Sequence, residues 1–182
     1  MVRKIEPNSD ALTQATVTIT WVIILNKPFY PLYVWWLVGD GYSTAILALL
    51  AVPFFFAIIL TAKSNSFAAR LALPVIGTFD TIFETAVFGK GSGTLLFFAP
   101  CIALAALSFC PHEKRYQQIT VCIIFFLFAV VWWLGPTPSY PWTADQLNTL
   151  LNINVLAVAG LMALIGLRYA GIHRDGQNHI RE

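Results

Sequence analysis

Three charged side chains lie inside apolar segments of this sequence, namely Lys27, Asp80 and Glu84. Asp80 and Glu84 are four residues apart, so a helix would carry both carboxylates on one face. Charges in apolar surroundings are costly, and they are usually paired with one another or line a polar cavity. Two carboxylates facing one lysine leave either one negative charge in excess or one carboxylate protonated.

Further polar side chains fall at a similar level of the predicted helices. With a helical rise of about 1.5 Å per residue, Lys27 and Asp80 both lie roughly 18 Å from the start of their helices. The last apolar segment adds three asparagines, two of which are four residues apart. We therefore predict a polar pocket lined by Lys27, Asp80, Glu84, Asn148, Asn152 and Asn154. Tyr30 and Tyr33 are predicted either to wall this pocket or to belong to an aromatic belt at the membrane interface.

This polar pocket leaves three interpretations open. The charges pair and hold two helices together, or they line a site for a ligand or an ion, or they form a path for protons or ions. Catalysis is not expected, because no nucleophile, base or metal-ligand set lies at one depth. Cys101, Cys110 and Cys122 lack metal-ligand spacing and are predicted to be small buried hydrophobes. The sequence thus predicts no catalytic residue, no metal and no cofactor.

The elements that carry these residues are predicted from composition. The chain has 182 residues, of which 58% are hydrophobic and 11% charged, whereas soluble domains carry about 25% charged residues. A membrane-spanning helix needs about 20 apolar residues, and six apolar segments fill most of the sequence. We predict an all-α, polytopic integral membrane protein with one membrane domain, residues 1–182, built as a bundle of six transmembrane helices. The predicted helices cover residues 13–38, 43–62, 68–88, 92–110, 117–134 and 144–170, followed by a short cytoplasmic tail at 171–182.

Two helix boundaries have recognisable local signals. Pro28 lacks a backbone N–H and clashes with the preceding turn, so the first helix is expected to break there. Thr143 and Gln146 have the spacing of a capping box, which predicts the start of the sixth helix. The first segment lacks the cleavage site of a signal peptide, and we expect it to remain in the mature protein.

The basic residues predict the orientation of the bundle, because cytoplasmic loops carry an excess of lysine and arginine. Apart from Lys27 and Lys90, all of them lie near the two termini or in alternate loops. They are Arg3, Lys4, Lys63, Arg70, Lys114, Arg115, Arg168, Arg174 and Arg181. Both termini are therefore predicted to be cytoplasmic, with the loops near Asp40, at 89–93 and at 136–145 outside. These residues form no dense cluster, so nucleic acid is not an expected partner.

Several short motifs resemble those of a known family. They are Phe88-Gly89-Lys90-Gly91-Ser92-Gly93, Leu96-Phe97-Phe98-Ala99-Pro100, Ser108-Phe109 before Glu113-Lys114-Arg115, and Pro28-Phe29-Tyr30-Pro31-Leu32-Tyr33. Together they resemble the six-helix membrane anchors of bacterial class III adenylate/guanylate cyclases and of autoinducer-sensing histidine kinases. The resemblance implies a sensor in a bacterial inner (plasma) membrane that passes an outside or in-membrane signal to a cytoplasmic effector, usually as a dimer.

These observations lead to one preferred function and two alternatives. We expect a sensor or receptor module that binds a small apolar or amphipathic signal in the outer half of the bundle. The family's catalytic or kinase domain is not expected after Glu182. Either the chain is the sensor module alone, or it works with a separate effector, or the resemblance is one of architecture only. The alternatives are a non-catalytic subunit of a larger membrane complex and a small-molecule or ion transporter. Lipid is the expected surrounding partner, and small residues on the sixth helix permit a homodimer, namely Ala157, Gly160, Ala163 and Gly166.

Overall fold

The computed structural model describes the backbone of residues 7–178 and the side chains of residues 11–172. Within these residues the chain is mostly helical and contains no strand, which confirms the predicted all-α class. The helices are α1 (Pro7–Asn26), α2 (Phe29–Tyr33), α3 (Tyr42–Ala45), α4 (Val52–Ala62), α5 (Ser66–Phe88), α6 (Phe98–Leu107), α7 (Lys114–Leu134) and α8 (Ala144–Asn178). Shorter turns join them, namely a π-helical turn at Val34–Val38 and 3₁₀ turns at Ile46–Ala51, Lys90–Ser92, Thr94–Phe97 and Pro111–Glu113.

Four stretches of the described chain are long and apolar enough to cross a membrane. They are Tyr42–Ala62, Ser66–Phe88, Pro111–Leu134 and Ala144–Ile172. The other two predicted spans differ from this set. The first is divided between α1 and α2, and the polar first half of α1 lowers its hydropathy, whereas the fourth is represented by the shorter apolar stretch Thr94–Leu107. The four stretches suggest a membrane protein, and the count of six spans stays a prediction.

Local sequence signals explain where the helices begin and end. The predicted break is confirmed, because α1 ends at Asn26 and α2 begins only after Pro28. Asn65 caps α5 with its side-chain oxygen, which accepts a 3.0 Å hydrogen bond from the backbone N–H of Ala68. The predicted capping box is also confirmed, since Thr143 and Gln146 exchange backbone-to-side-chain hydrogen bonds of 2.9 and 3.3 Å.

Helix α5 occupies the middle of the bundle and packs against α1, α4 and α6. Helix α8 packs on α1 and α6, and α7 packs on α6. The threonines buried between these helices satisfy their hydroxyl groups within their own helix, by donating to the carbonyl four residues earlier. They are Thr16, Thr20, Thr78, Thr81 and Thr85.

Large apolar side chains cover much of the outer surface of the bundle. Trp133 is 87% exposed, Leu167 78% and Trp36 76%. Soluble monomers rarely expose apolar surface on this scale. An apolar exterior around a helical core with polar groups suits a protein whose surroundings are lipid.

Candidate functional site

An ion triad joins the end of α1 to the middle of α5. The Lys27 ammonium nitrogen lies 2.7 Å from Asp80 Oδ1 and 2.6 Å from Asp80 Oδ2. The same nitrogen lies 2.7 Å from Glu84 Oε1. All three side chains are nearly buried, with exposed fractions of 9%, 11% and 12%. The triad forms because Lys27 follows the last turn of α1, directly before the break, while Asp80 and Glu84 share one face of α5.

Asn154 of α8 belongs to the same polar region. Its side-chain N–H₂ group donates a 2.8 Å hydrogen bond to the backbone carbonyl of Ser92 and a 3.4 Å bond to the Tyr30 hydroxyl. Its Oδ1 atom is buried and has no hydrogen-bond partner in the described part of the chain. Asn154 thus ties α8 to the turn that follows α5, and it leaves one acceptor unused beside the triad.

A cavity of about 340 Å³ opens between the helices next to this polar region. Its walls come from α1, α4, α5, α6 and α8, with Lys27 and Tyr30 contributed by the break and by α2. The lining residues are Val22, Ile23, Asn26, Lys27, Tyr30, Phe55, Leu73, Gly77, Asp80, Thr81, Glu84, Phe97, Pro100, Cys101, Leu104, Asn154, Leu156, Ala157, Gly160, Leu161 and Leu164.

The cavity is amphipathic along its length. On α5 the lining changes from Glu84 and Asp80 to Leu73, two helical turns away from Asp80. On α8 it changes in the same way, from Asn154 to Leu161 and Leu164. One end therefore offers carboxylates and an amide, and the other offers only hydrocarbon surface.

Three predicted pocket residues lie outside the cavity. Asn148 and Asn152 are exposed on α8, and Tyr33 is 38% exposed and does not line the cavity. The reason is the helical repeat, because residues two apart point to nearly opposite sides of a helix. The burial of Asn154 against the bundle therefore turns Asn152, and Asn148 one turn before it, outward. The structure brings together Lys27, Asp80, Glu84, Asn154 and Tyr30.

An apolar groove adjoins the cavity on the outside of the bundle, between α5 and the segment that leads into α4. Its volume is about 410 Å³, and Asp80 is its single charged lining residue among those described. The apolar lining residues are Leu50, Ala51, Phe54, Ile76, Phe79 and Phe83. Asp80 lines both spaces and thus separates the interior cavity from the outer surface of the bundle.

A second buried ion pair, which sequence reasoning missed, lies at the opposite end of α5. Arg70 and Glu113 form a bidentate pair, with Nη1–Oε2 and Nη2–Oε1 distances of 2.7 and 2.9 Å. Arg70 Nη1 also donates to the backbone carbonyl of Ser108 at 3.0 Å. Arg70 is only 2% exposed. In the sequence, Arg70 is one of the basic residues between two predicted spans. Its partner Glu113 lies 43 residues away, and no local pattern joins the two.

Tyr169 connects this ion pair to α8 and α1. Its hydroxyl lies 2.8 Å from Ser108 Oγ and 3.5 Å from Thr16 Oγ1. We call the group Arg70, Glu113, Ser108, Tyr169 and Thr16 the basal network. It joins α1, α5, α8 and the segment between α6 and α7 in one set of polar contacts.

The cysteines carry no evident chemistry. No disulfide joins the three, which all lie in the described part of the chain. Cys101 and Cys110 are buried as predicted, whereas Cys122 is exposed on the surface of α7. In residues 7–178, no group of three or more His, Cys, Asp or Glu residues could hold a metal ion. The cavity thus has one polar and one apolar end, the arrangement that a molecule with a polar group and a hydrocarbon part would match.

Comparison with protein-family models, with curated proteins and with solved structures gives no match for this chain. The resemblance to cyclase and histidine-kinase anchors therefore stays a prediction.

Proposed function

We propose that this chain is a membrane-embedded sensor or receptor module with six spans in a bacterial inner membrane. It binds a small apolar or amphipathic molecule in the cavity beside Lys27, Asp80 and Glu84. It then passes the signal to a cytoplasmic effector. The observation that carries the proposal is the amphipathic cavity, in which three buried charges face hydrocarbon walls.

The size and the walls of the cavity support a binding role. Ligand pockets have volumes of about 300–1,000 Å³ and combine apolar walls with a few polar groups. A volume of about 340 Å³ falls at the lower end of that range. Because five of the longer helices contribute walls, a molecule in the cavity would contact most of the bundle at once. A simple pairing of Lys27 with a carboxylate would need neither the second carboxylate nor the adjoining space.

The basal network supports transmission from the cavity to the other end of the bundle. Leu73 lines the cavity and lies three residues from Arg70, and Leu104 lines it four residues from Ser108. Each leucine therefore lies within about one helical turn of a member of the network, so a displacement of Leu73 can shift Arg70 and a displacement of Leu104 can shift Ser108. Tyr169, which belongs to the network, is next to Arg168 at the predicted cytoplasmic end of α8.

The contact between Arg70 and Glu113 also supports the proposed topology, with both termini cytoplasmic. Arg70 lies near the start of α5, after the loop that carries Lys63, and Glu113 lies in the turn before Lys114. Their side chains meet at one end of the bundle. The 89–93 turn and residues 136–145 lie near each other at the other end, where Ser139 donates to the Val87 carbonyl. Alternation of the loops between the two ends is what an antiparallel membrane bundle requires.

The proposal is tested with a matched pair of glycine variants on α8. Gly160 lines the cavity and Gly166 does not, and a Cβ atom at either position meets no atom within 4 Å. Because Gly160 lines the cavity, Gly160→Phe is expected to narrow it, and Gly166→Phe serves as the control. Each protein is extracted from its native membranes in polymer-bounded nanodiscs, and the small molecules and proteins that co-purify are identified by mass spectrometry.

We expect a small amphipathic molecule and a cytoplasmic effector to accompany the wild type and Gly166→Phe. Gly160→Phe should lose the small molecule. Equal amounts of every small molecule in all three preparations would refute a binding role for the cavity. Recovery of other integral subunits in place of a cytoplasmic protein would favour the alternative of a non-catalytic subunit of a membrane complex.

A further inference from the structure

We propose that the ligand of the cavity is an amphipathic amine. Its protonated nitrogen binds beside Glu84 and Asn154, and its hydrocarbon part lies along Leu73, Leu104 and Leu161. The inference rests on the proposed function, because it names the chemical class of the molecule that the cavity binds. It follows from the hydrogen-bond inventory, the charge and the shape of the site.

Most N–H donors at the polar end of the cavity are directed to acceptors of the protein. Lys27 Nζ donates to Asp80 Oδ1 and Glu84 Oε1 at 2.7 Å, and Asp80 Oδ2 lies 2.6 Å from the same nitrogen. Both N–H donors of Asn154 are directed to the Ser92 carbonyl and the Tyr30 hydroxyl. The Tyr30 hydroxyl accepts this bond and keeps its own O–H donor.

Acceptors, in contrast, remain unused. Asn154 Oδ1 is buried without a hydrogen-bond partner, although the residue is only 1% exposed. Glu84 places one oxygen on Lys27, and its Oε2 has no hydrogen-bond partner in the part of the chain that the structure describes. A buried acceptor without a partner is destabilising, which applies to Asn154 Oδ1, whereas Glu84 Oε2 is the more accessible of the two acceptors. A ligand that donates hydrogen bonds would satisfy them, and a carbonyl or carboxylate ligand would not.

Among ligands that donate hydrogen bonds, the charge of the site favours a cation. Asp80 and Glu84 carry two formal negative charges and Lys27 one positive charge, so the group is neutral only when a cation binds or one carboxylate is protonated. An uncompensated charge in an apolar interior is strongly unfavourable. A protonated amine would neutralise the group and donate hydrogen bonds, whereas an alcohol would do only the second, and a fatty acid would add another negative charge.

The shape of the cavity and the adjoining groove select an apolar tail. The cavity continues from the charges to Leu73, Leu104 and Leu161 without another charged side chain among its lining residues. Its volume of about 340 Å³ lies in the range of pockets for small organic molecules, so a single-chain amine of about ten carbons is a suitable probe. Because Asp80 also lines the apolar groove on the outer surface, the charges lie close to a surface that faces lipid in the proposed membrane.

The test uses the full chain in nanodiscs of uncharged lipid and three radiolabelled probes of equal length. The probes are n-decylamine, n-decanol and n-decanoate. Binding to Gly160→Phe is subtracted, so that partition into the lipid does not count. We expect decylamine to bind the wild type about tenfold or more tightly than either other probe, since close charge pairs contribute 1.5 kcal/mol or more. Equal affinities, or tighter binding of decanoate, would overturn the assignment of an amine.

Two variants test whether the preference for decylamine comes from the charged side chains. Glu84→Gln leaves a neutral Lys27–Asp80 pair and should lower the affinity for decylamine to that of decanol measured on the same variant. The triple variant Lys27→Met, Asp80→Asn, Glu84→Gln removes every charge and should give the same result, which guards against misfolding of the single variant. Asp145→Asn, an exposed acidic residue outside the cavity, should retain the preference. A preference for decylamine that survives both charge-neutralised variants would contradict the proposal.

The outcomes separate this inference from the proposed function. Saturable binding of decanol with no preference for decylamine would leave the cavity as a binding site and remove only the amine. If no probe binds the wild type above the level of Gly160→Phe, both the amine and the binding role of the cavity are refuted.

Discussion

The Lys27 ammonium nitrogen lies 2.6 Å from Asp80 Oδ2, across a separation of 53 residues in the sequence. This contact fixes the position of the break between α1 and α2 relative to the middle of α5. Lys27 directly follows the end of α1 and precedes Pro28. The helix break at Pro28 thus lies next to Lys27, whose ion pair holds the break against α5. Glu84 Oε1 supplies a second carboxylate oxygen 2.7 Å from the same nitrogen.

Removal of the lysine charge should destabilise the bundle more than removal of all three charges. Lys27→Met leaves two buried carboxylates without a counter-charge, and breaking a buried ion pair in this way costs about 3–5 kcal/mol. Lys27→Met with Asp80→Asn and Glu84→Gln leaves no charge and should recover most of that loss. Unfolding in mixed detergent micelles, followed by circular dichroism, measures the difference. Lys63→Met, at an exposed lysine, is the control and should change little. If the triple variant loses as much unfolding free energy as Lys27→Met, the loss does not come from uncompensated charge.

The pair of Arg70 and Glu113 should behave in the same way at the other end of α5. Glu113→Gln leaves the buried Arg70 guanidinium without a counter-charge, and we expect a loss of about 3–5 kcal/mol. The double variant Arg70→Met, Glu113→Gln should lose less than the single one. A double-mutant cycle on unfolding free energies gives the coupling. Asp145→Asn is a suitable control, because that exposed side chain should contribute only about 0.3–1 kcal/mol through the helix dipole. Additive losses would show that the two side chains do not interact.

Gly93 should tolerate a methyl group less well than Gly39, although both have positive φ angles of 81° and 82°. A Cβ atom at Gly93 would lie 2.6 Å from Leu151 Cδ1 and 3.3 Å from Leu151 Cα, whereas none lies near Gly39. Gly39→Ala should therefore cost only the left-handed backbone penalty of about 1–2 kcal/mol. Gly93→Ala should cost more, because it also separates the turn from α8 and lengthens the hydrogen bond between Asn154 and Ser92. Thermal unfolding of the two variants side by side measures the difference, and equal melting temperatures would contradict the close packing of Gly93 on Leu151.

The proposed topology predicts the location of reporter fusions. Green fluorescent protein at either terminus should fluoresce, because it folds on the cytoplasmic side of a bacterial inner membrane. Alkaline phosphatase inserted after Asp40, or within 136–145, should be active, because that enzyme requires the outer side. The same phosphatase inserted between α4 and α5, after Ser64, should be inactive and serves as the control. Activity at all three insertion points would contradict the alternation of loops that six spans require.

Much of the fold was predictable because its signals are local. Pro28 ends a helix by removing a donor from its own backbone, and Thr143 with Gln146 starts one by capping neighbouring N–H groups. The shared face of Asp80 and Glu84 likewise follows from a spacing of four residues. The brevity of α6 was not predicted, since the chain changes to 3₁₀ geometry at 94–97 without a charge or a proline to mark the change.

The site was predictable only in part, and the two wrong predictions on α8, Asn148 and Asn152, have one cause. The sequence determined which residues are polar, on which helices they lie and roughly at what level. It did not determine how each helix is rotated about its axis, which is set by contacts with helices far away in the sequence. That rotation buries Asn154 and exposes Asn148 and Asn152 on the same helix. Tertiary packing alone decides that Arg70 meets Glu113, because a buried ion pair depends on two surfaces fitting together and leaves no repeat or spacing in the sequence.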